Sequence, residues 1–175
     1  EITAPGVGIR EARVTDLGWL RDYGRVSPVI DSDILLVPAI EVATEQFEVV
    51  RLLGVDILSD RPFRDYQLVD GETPRRVTTQ EFLSLLTDPY AIVVTNSFAR
   101  RYKLVVNDPV TLLAGDRSVP LRVAGILGKE GPASVIDGNF ALMDIAAAQW
   151  ALNRLGQIDR IDVRLADDVS VDQAE

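Results

Sequence analysis

The chain has 175 residues, 47% of them hydrophobic, with 27 acidic against 18 basic side chains and a formal charge of -9. That is enough apolar matter for one domain with a sizeable core, and the acidity argues against the basic footprint of a nucleic-acid binder or attraction to anionic lipid. With no His and no Cys, imidazole bases, thiolate nucleophiles, disulfides and most zinc or copper sites are excluded.

Taken in chain order, Glu1 to Thr3 reads as a strand that Ala4-Pro5-Gly6-Val7-Gly8 breaks. A helix is expected from about Thr15 to Tyr23, with Leu17, Trp19 and Leu20 as apolar positions and Gly24 as its stop. Arg25 to Ile30, Ile34 to Val37 and Phe47 to Val55 are β-branched runs separated by Asp, Ser and Pro, which predicts three strands. Asp56 to Tyr66, which contains Pro62, is expected to be irregular or a short helix. Thr78 or Thr79 caps a helix through Leu86, Thr78 and Glu81 standing at capping-box spacing, and Asp88-Pro89 ends it.

An apolar strand opening at Ala91 and stopping at Thr95-Asn96-Ser97 comes next, followed by a short helix for which Ser97 is the expected N-cap. Val110 to Leu113 and Val119 to Leu127 form a hairpin across Ala114-Gly115-Asp116-Arg117-Ser118, and Lys129 to Pro132 is a loop. A strand around Ala141, a helix from Ile145 to Leu155 and a strand from Ile158 to Leu165 then make a β-α-β unit, with Ala146, Trp150 and Leu155 toward a sheet. Both ends read as cut within an element, and no run of about eighteen apolar residues marks a membrane span or signal peptide. The fold class is α+β, with a first and a last β-α-β piece packing together around an inserted middle segment.

Candidates for chemistry are few. Asp31-Ser32-Asp33, Asp167-Asp168 and the Asp159/Asp162 pair are paired carboxylates, but the Gly and terminal Glu of a calcium loop are missing, and solvated turns and strand faces account for them. Ser97 has no His to serve as its base and no G-x-S-x-G frame. Gly6-Val7-Gly8 lacks the third Gly of a dinucleotide fingerprint, and the chain has no P-loop, so it is not itself an ATPase. Arg75-Arg76 and Arg100-Arg101 read as solvated basic pairs, and Trp19 and Trp150 as core or lobe-interface residues. No catalytic, cofactor-binding or metal-binding residue is assigned.

One ordered set of segments carries more. Leu52-Leu53-Gly54-Val55-Asp56, then Ala91 through Ser97-Phe98-Ala99 to Tyr102, Val106-Asn107-Asp108, Val119 to Leu127 with its Arg122-Val123-Ala124-Gly125-Ile126-Leu127 end, Asn139 to Asp144 leading into the helix Ile145 to Leu155 with its Ala146-Ala147-Ala148-Gln149, and Ile158 to Leu165 followed by Val171-Asp172 resemble the extracytoplasmic core domain of MacB-like and FtsX-like ABC-transporter permeases. Asn107 stands where that family commonly has Gly, and Asn is the residue that next most readily adopts a positive φ.

The resemblance implies two lobes, a discontinuous β-α-β Porter-like lobe of residues 1–55 and 136–175 and an inserted, β-rich Sabre-like lobe of residues 56–135. It implies a non-enzymatic periplasmic domain of a MacB/FtsX/LolC-like permease in the inner membrane, lying between its first two transmembrane helices and coupling ATP-driven motion to export, lipoprotein extraction or partner activation. The implied partners are a second permease subunit, a separate ATP-binding subunit and a periplasmic adaptor or cargo, with no cofactor and no nucleic acid. The alternatives are a soluble ligand- or peptide-binding module and, from another class, a carboxylate-based hydrolase.

Overall fold

The computed structural model describes residues 1–4, 8–38, 48–60, 68–70, 73–75, 78–128 and 140–170. Its strands are β1 (Ile2–Thr3), β2 (Ile9–Arg10), β3 (Gly24–Pro38), β4 (Glu48–Val55), β5 (Leu68–Asp70), β6 (Thr73–Arg75), β7 (Ala91–Thr95), β8 (Pro109–Ala114), β9 (Arg117–Leu127), β10 (Phe140–Asp144), β11 (Gln157–Ile158) and β12 (Arg160–Leu165). The helices are α1 (Arg13–Asp16), α2 (Thr79–Thr87), α3 (Asn96–Tyr102) and α4 (Ile145–Ala151), with a 3-10 turn at Gly18–Asp22. The fold is mixed α+β and rich in strands.

The pairing closes on itself. β3 pairs with β4, β4 with β10, β10 with β7, β7 with β9, β9 with β8, and β8 returns to β3. A ring of strands has no edges to protect, and its interior is filled by every second residue. Ile30, Ile34 and Leu36 of β3, Val50 and Leu52 of β4, and Ala141 and Met143 of β10 share one buried cluster with Ile92 and Val94 of β7. Their alternate neighbours Val29, Leu53, Phe140, Leu142 and Val93 form a second cluster outside the wall, under Leu85 of α2 and Leu68 of β5. Each such side chain contributes about 1.5–3 kcal/mol through burial, so two clusters on opposite faces hold the wall from both sides.

The barrel ends are closed by helices. α3 follows the C-terminal end of β7 and α4 that of β10; because β7 and β10 are antiparallel, the helices sit at opposite ends. Phe98, Ala99 and Tyr102 enter the interior cluster from one, Ala147, Ala148 and Ala151 from the other. Small residues on α4 let it lie close to Gly54 of β4, where an added Cβ would stand 2.6 Å from the Ala148 Cβ and 3.1 Å from the Ile30 Cβ.

Several expectations need correcting. The helix expected over Thr15 to Tyr23 is a single turn, α1, then the 3-10 turn, because Gly18 interrupts it and Leu20 alone of Leu17, Trp19 and Leu20 is buried. Trp19 is 47% exposed and not in the core. The two strands expected over Arg25 to Val37 are one, since Asp31, Ser32 and Asp33 are paired to Leu53, Leu52 and Arg51 instead of turning. Thr95, not Ser97, is the N-cap of α3: its hydroxyl accepts from the Phe98 N–H at 3.4 Å and contacts Ser97 Oγ at 3.1 Å. α4 ends at Ala151, and its buried positions are Ala147, Ala148, Gln149 and Ala151, with Trp150 half-buried against the interior cluster; Ala146 is exposed, and Leu155 is 70% exposed beyond the helix. The strand expected from Ile158 is divided at Asp159 into β11 and β12.

Other local readings hold. Thr78 and Glu81 form the full capping box of α2, the carboxylate accepting from Thr78 N at 2.9 Å. Gly115 (φ 59) turns the β8–β9 hairpin in two residues, and Asn107 adopts φ 80 while its N–H donates to the Val123 carbonyl at 2.7 Å. Residues 5–7, 61–67, 129–132 and 171–175 lie outside the described residues, as do the expectations made for them.

Candidate functional site

The charged residues that read as solvated turns instead form a brace across four strands. β12 lies between β1 and β3, antiparallel to both, and β3 is antiparallel to β4. Arg160 of β12 reaches over β3 to pair with Asp31, and its Nε donates to Asp162 Oδ1 at 2.9 Å. Arg51 of β4 closes a fork on the same Asp31, Nε to Oδ1 at 2.6 Å. Glu1, before β1, stands 3.7 Å from Arg160 Nε. Asp159 accepts from the Asp31 backbone N–H at 2.8 Å and is itself gripped by Arg154, Nη2 to Oδ1 at 2.6 Å.

The brace is largely shielded from water: the side chains of Arg160, Asp31 and Asp162 are 13%, 14% and 18% exposed. Burial opposes charge on Asp31, but the hydrogen bonds from Arg51 and Arg160 outweigh it and hold its carboxyl below the ordinary value. Burial likewise works against the Arg160 cation, and Asp162 and Asp31 reverse it, so its pKa is raised. A carboxylate whose oxygens receive two guanidinium groups is a poor general base. What this arrangement does is tie the first and last strands to the barrel.

A second contact fixes α3. Arg101 pairs with Glu48 of β4, and Tyr102 has a raised pKa, first because it is buried and then because it bonds to Glu48. At the α4 end, Trp150 meets Tyr90 edge-on at 5.4 Å, with the Arg117 guanidinium 5.9 Å from its ring centre. Among the expected candidates, Asp31, Asp159 and Asp162 are thus brought together and Asp33, opposite Arg51, adds its charge beside that guanidinium, whereas Ser97 and Asp167-Asp168 take no part in the brace. Arg75 lies in β6, and Arg76 is outside the described residues.

Sequence reasoning missed Arg51, Arg154 and Arg160. The available signals were a lone Arg inside the apolar run Val49 to Val55 and the alternation Arg160, Asp162, Arg164 on one face of β12.

Asp144 behaves differently. It caps α4, accepting from Ala146 N at 3.0 Å, and its pKa is raised, chiefly by burial and further by Asp56 nearby. A raised carboxyl pKa means that the folded state favours the protonated form, a contribution present at low pH and lost as pH rises through the folded value. Asp144→Asn keeps the acceptor and removes the charge, so at pH 7 it should raise Tm by about 1–3 °C, an advantage that vanishes in acid. Thermal melts at both pH values check this; a lower Tm at pH 7 would mean that the helix needs the charge.

A family model described as the MacB-like periplasmic core domain matches residues 11–175. Three solved structures share the fold. The extracellular domain of the noncanonical ABC-type transporter YknZ from Gram-positive bacteria has a TM-score of 0.65 at 15% identity, covering 96% of this chain and 77% of that one. The periplasmic region of MacB from Actinobacillus actinomycetemcomitans gives 0.61 at 18% identity, covering 99% and 76%. A domain of a putative permease protein from Porphyromonas gingivalis gives 0.60 at 14% identity, covering 98% and 72%. Comparison with curated proteins gives no match.

Proposed function

The chain belongs to the family of MacB-like periplasmic core domains, and from that membership we propose that it transmits motion in a permease of the ABC-transporter type. Membrane-spanning segments would be joined to it at both ends, and the domain would carry their ATP-driven displacement outward as a stiff body. The single observation that carries this reading is the pairing of β1 with β12, Ile2 opposite Ile161 and Thr3 opposite Arg160, locked to β3 and β4 by the Arg160–Asp31–Arg51 brace. Antiparallel neighbours put the start of β1 and the end of β12 at one end of the sheet, so both connections would pull on the same ribbon.

The role needs no catalytic side chain, and the family's description as the periplasmic core domain of a MacB-like protein supports that view. The partners in this reading are a second permease subunit, homo- or heterodimeric, a separate ATP-binding subunit reached through the membrane part, and a periplasmic adaptor or cargo. The finer division into a Porter-like lobe of residues 1–55 and 136–175 and a Sabre-like lobe of residues 56–135 is part of the same proposal. The two segments meet along β3–β8 and β10–β7, so motion of one would be felt by the other.

The orientation is testable by labelling. Asp167 is exposed just past β12, and Asp167→Cys in the full-length protein should react with a membrane-impermeant maleimide in cells whose outer barrier is opened. Reaction only after the inner membrane is lysed would place the domain in the cytoplasm and refute the proposal.

A further inference from the structure

Beyond the barrel, β3 and β12 run on as a ribbon, flanked by β1 at its base. Residues 24–28 of β3 pair with β12 alone, because pairing with β4 begins at Val29. At the ribbon tip Gly24 faces Leu165, the Ala166 N–H donates to the Tyr23 carbonyl at 2.9 Å, and the 3-10 turn Gly18–Asp22 folds against the strand. Buried Leu20 anchors that turn, while Trp19 on it is 47% exposed and stands edge-on to Tyr23 with ring centres 6.0 Å apart.

A large ring held half out of the surface by this turn can meet whatever lies beyond the tip. Its place decides what. The tip is the end toward which β12 leaves and from which β1 enters. The exposed charges around it balance, Arg21, Arg25 and Arg164 against Asp22, Asp167 and Asp168, so an electrically neutral partner suits it better than a charged one. Trp and Tyr, apolar in body with one polar group, are the residues that settle at the boundary between lipid and water.

We propose that Trp19, backed by Tyr23, is a foot that seats the ribbon tip in the headgroup layer of a zwitterionic bilayer. This rests on the permease reading, which turns the tip toward the membrane. One indole binds weakly alone, so the contact matters only when attachment raises the local lipid concentration.

The test supplies that attachment. Because the chain has no Cys, a cysteine appended after Glu175 couples it to a maleimide lipid in phosphatidylcholine vesicles, and Trp150→Phe leaves Trp19 as the sole indole. A nitroxide on the lipid headgroup should quench Trp19 by about twofold or more, with a blue shift, and a nitroxide deep in the acyl chains should quench it less. Trp19 emission unchanged from that of the untethered protein, or stronger quenching from the deep label, would overturn the foot. The tether holds the domain at a bilayer whatever its place in a cell, so that failure leaves the permease reading intact, while cytoplasmic labelling at position 167 would sink the reading without bearing on this result. Should Trp150→Phe fail to fold, the same comparison runs on the unmodified pair of indoles against Trp19→Phe: the quenching must disappear with Trp19.

Discussion

Gly54→Ala should lower stability by about 2–3 kcal/mol, a fall in Tm of roughly 5–10 °C, although it adds one methyl group and removes a flexible residue from a strand. Ordinarily that exchange helps a strand. Here the new Cβ would come within 2.6 Å of the Ala148 Cβ on α4 and 3.1 Å of the Ile30 Cβ on β3. Neither neighbour is the free end of a long side chain: one sits on a helix backbone inside the barrel mouth, the other on the adjacent strand. The helix must therefore lift, opening the interior cluster at Ala147, Ala148 and Ala151. Ala148→Gly in the same chain should recover part of the loss, since it removes the closest atom, whereas Ala148→Gly alone should destabilise through helix propensity and lost packing. Urea titrations of the four proteins give the coupling directly. If Gly54→Ala is neutral, α4 does not seal that end in the manner described.

Arg160→Met should cost about 2–3 kcal/mol, because it keeps most of the aliphatic stem and leaves Asp31 and Asp162 short of a cation at 14% and 18% exposure. The remaining fork from Arg51, itself 49% exposed, compensates only partly. Adding Asp31→Asn should restore some of the loss, as removing both partners of a shielded pair costs less than removing one. Local exchange should reveal where the damage falls: the amides of Ile2, Thr3 and Ile161, in the β1–β12 pair, should lose protection before those of β7 or β9. The pH dependence has a definite sign. The carboxyl of Asp31 is held below its ordinary 3.8 when folded, so its stabilisation is present above that value and is lost as pH falls through the lowered one. Asp31→Asn should therefore flatten the acid limb of stability against pH. An unchanged acid limb, or uniform loss of protection across the barrel, would show that the brace does not act on the terminal strands.

How much was legible in advance divides along sequence distance. Runs such as Ile92-Val93-Val94 and Val49-Val50 declare strands by their β-branching, Thr78 and Glu81 declare a helix start three residues apart, and Asn107 at a position calling for positive φ preserves its turn. The closure of the barrel had no such sign, since β8 returns to β3 with Pro38 opposite Val110, and nothing in either strand announces a partner that far away. The same holds for the brace, where Asp31 and Arg160 are 129 residues apart. At Thr95-Asn96-Ser97, three residues capable of capping stand in a row, and only the point at which β7 ends selects Thr95. Trp19 was read as buried because helical spacing was assumed, and Gly18 ends that spacing before it can apply.

Distances between spin labels in the assembled transporter would test most directly whether this domain moves as a stiff body. Asp116→Cys at the β8–β9 hairpin tip and Asp167→Cys beyond β12 are exposed sites in a chain with no native cysteine. With and without ATP, the 116-to-167 distance within one domain should stay fixed, while the distance from one domain's label to that of the second subunit changes. A shift within the domain as large as the shift between domains would contradict transmission by a rigid body and favour a module that closes on a ligand.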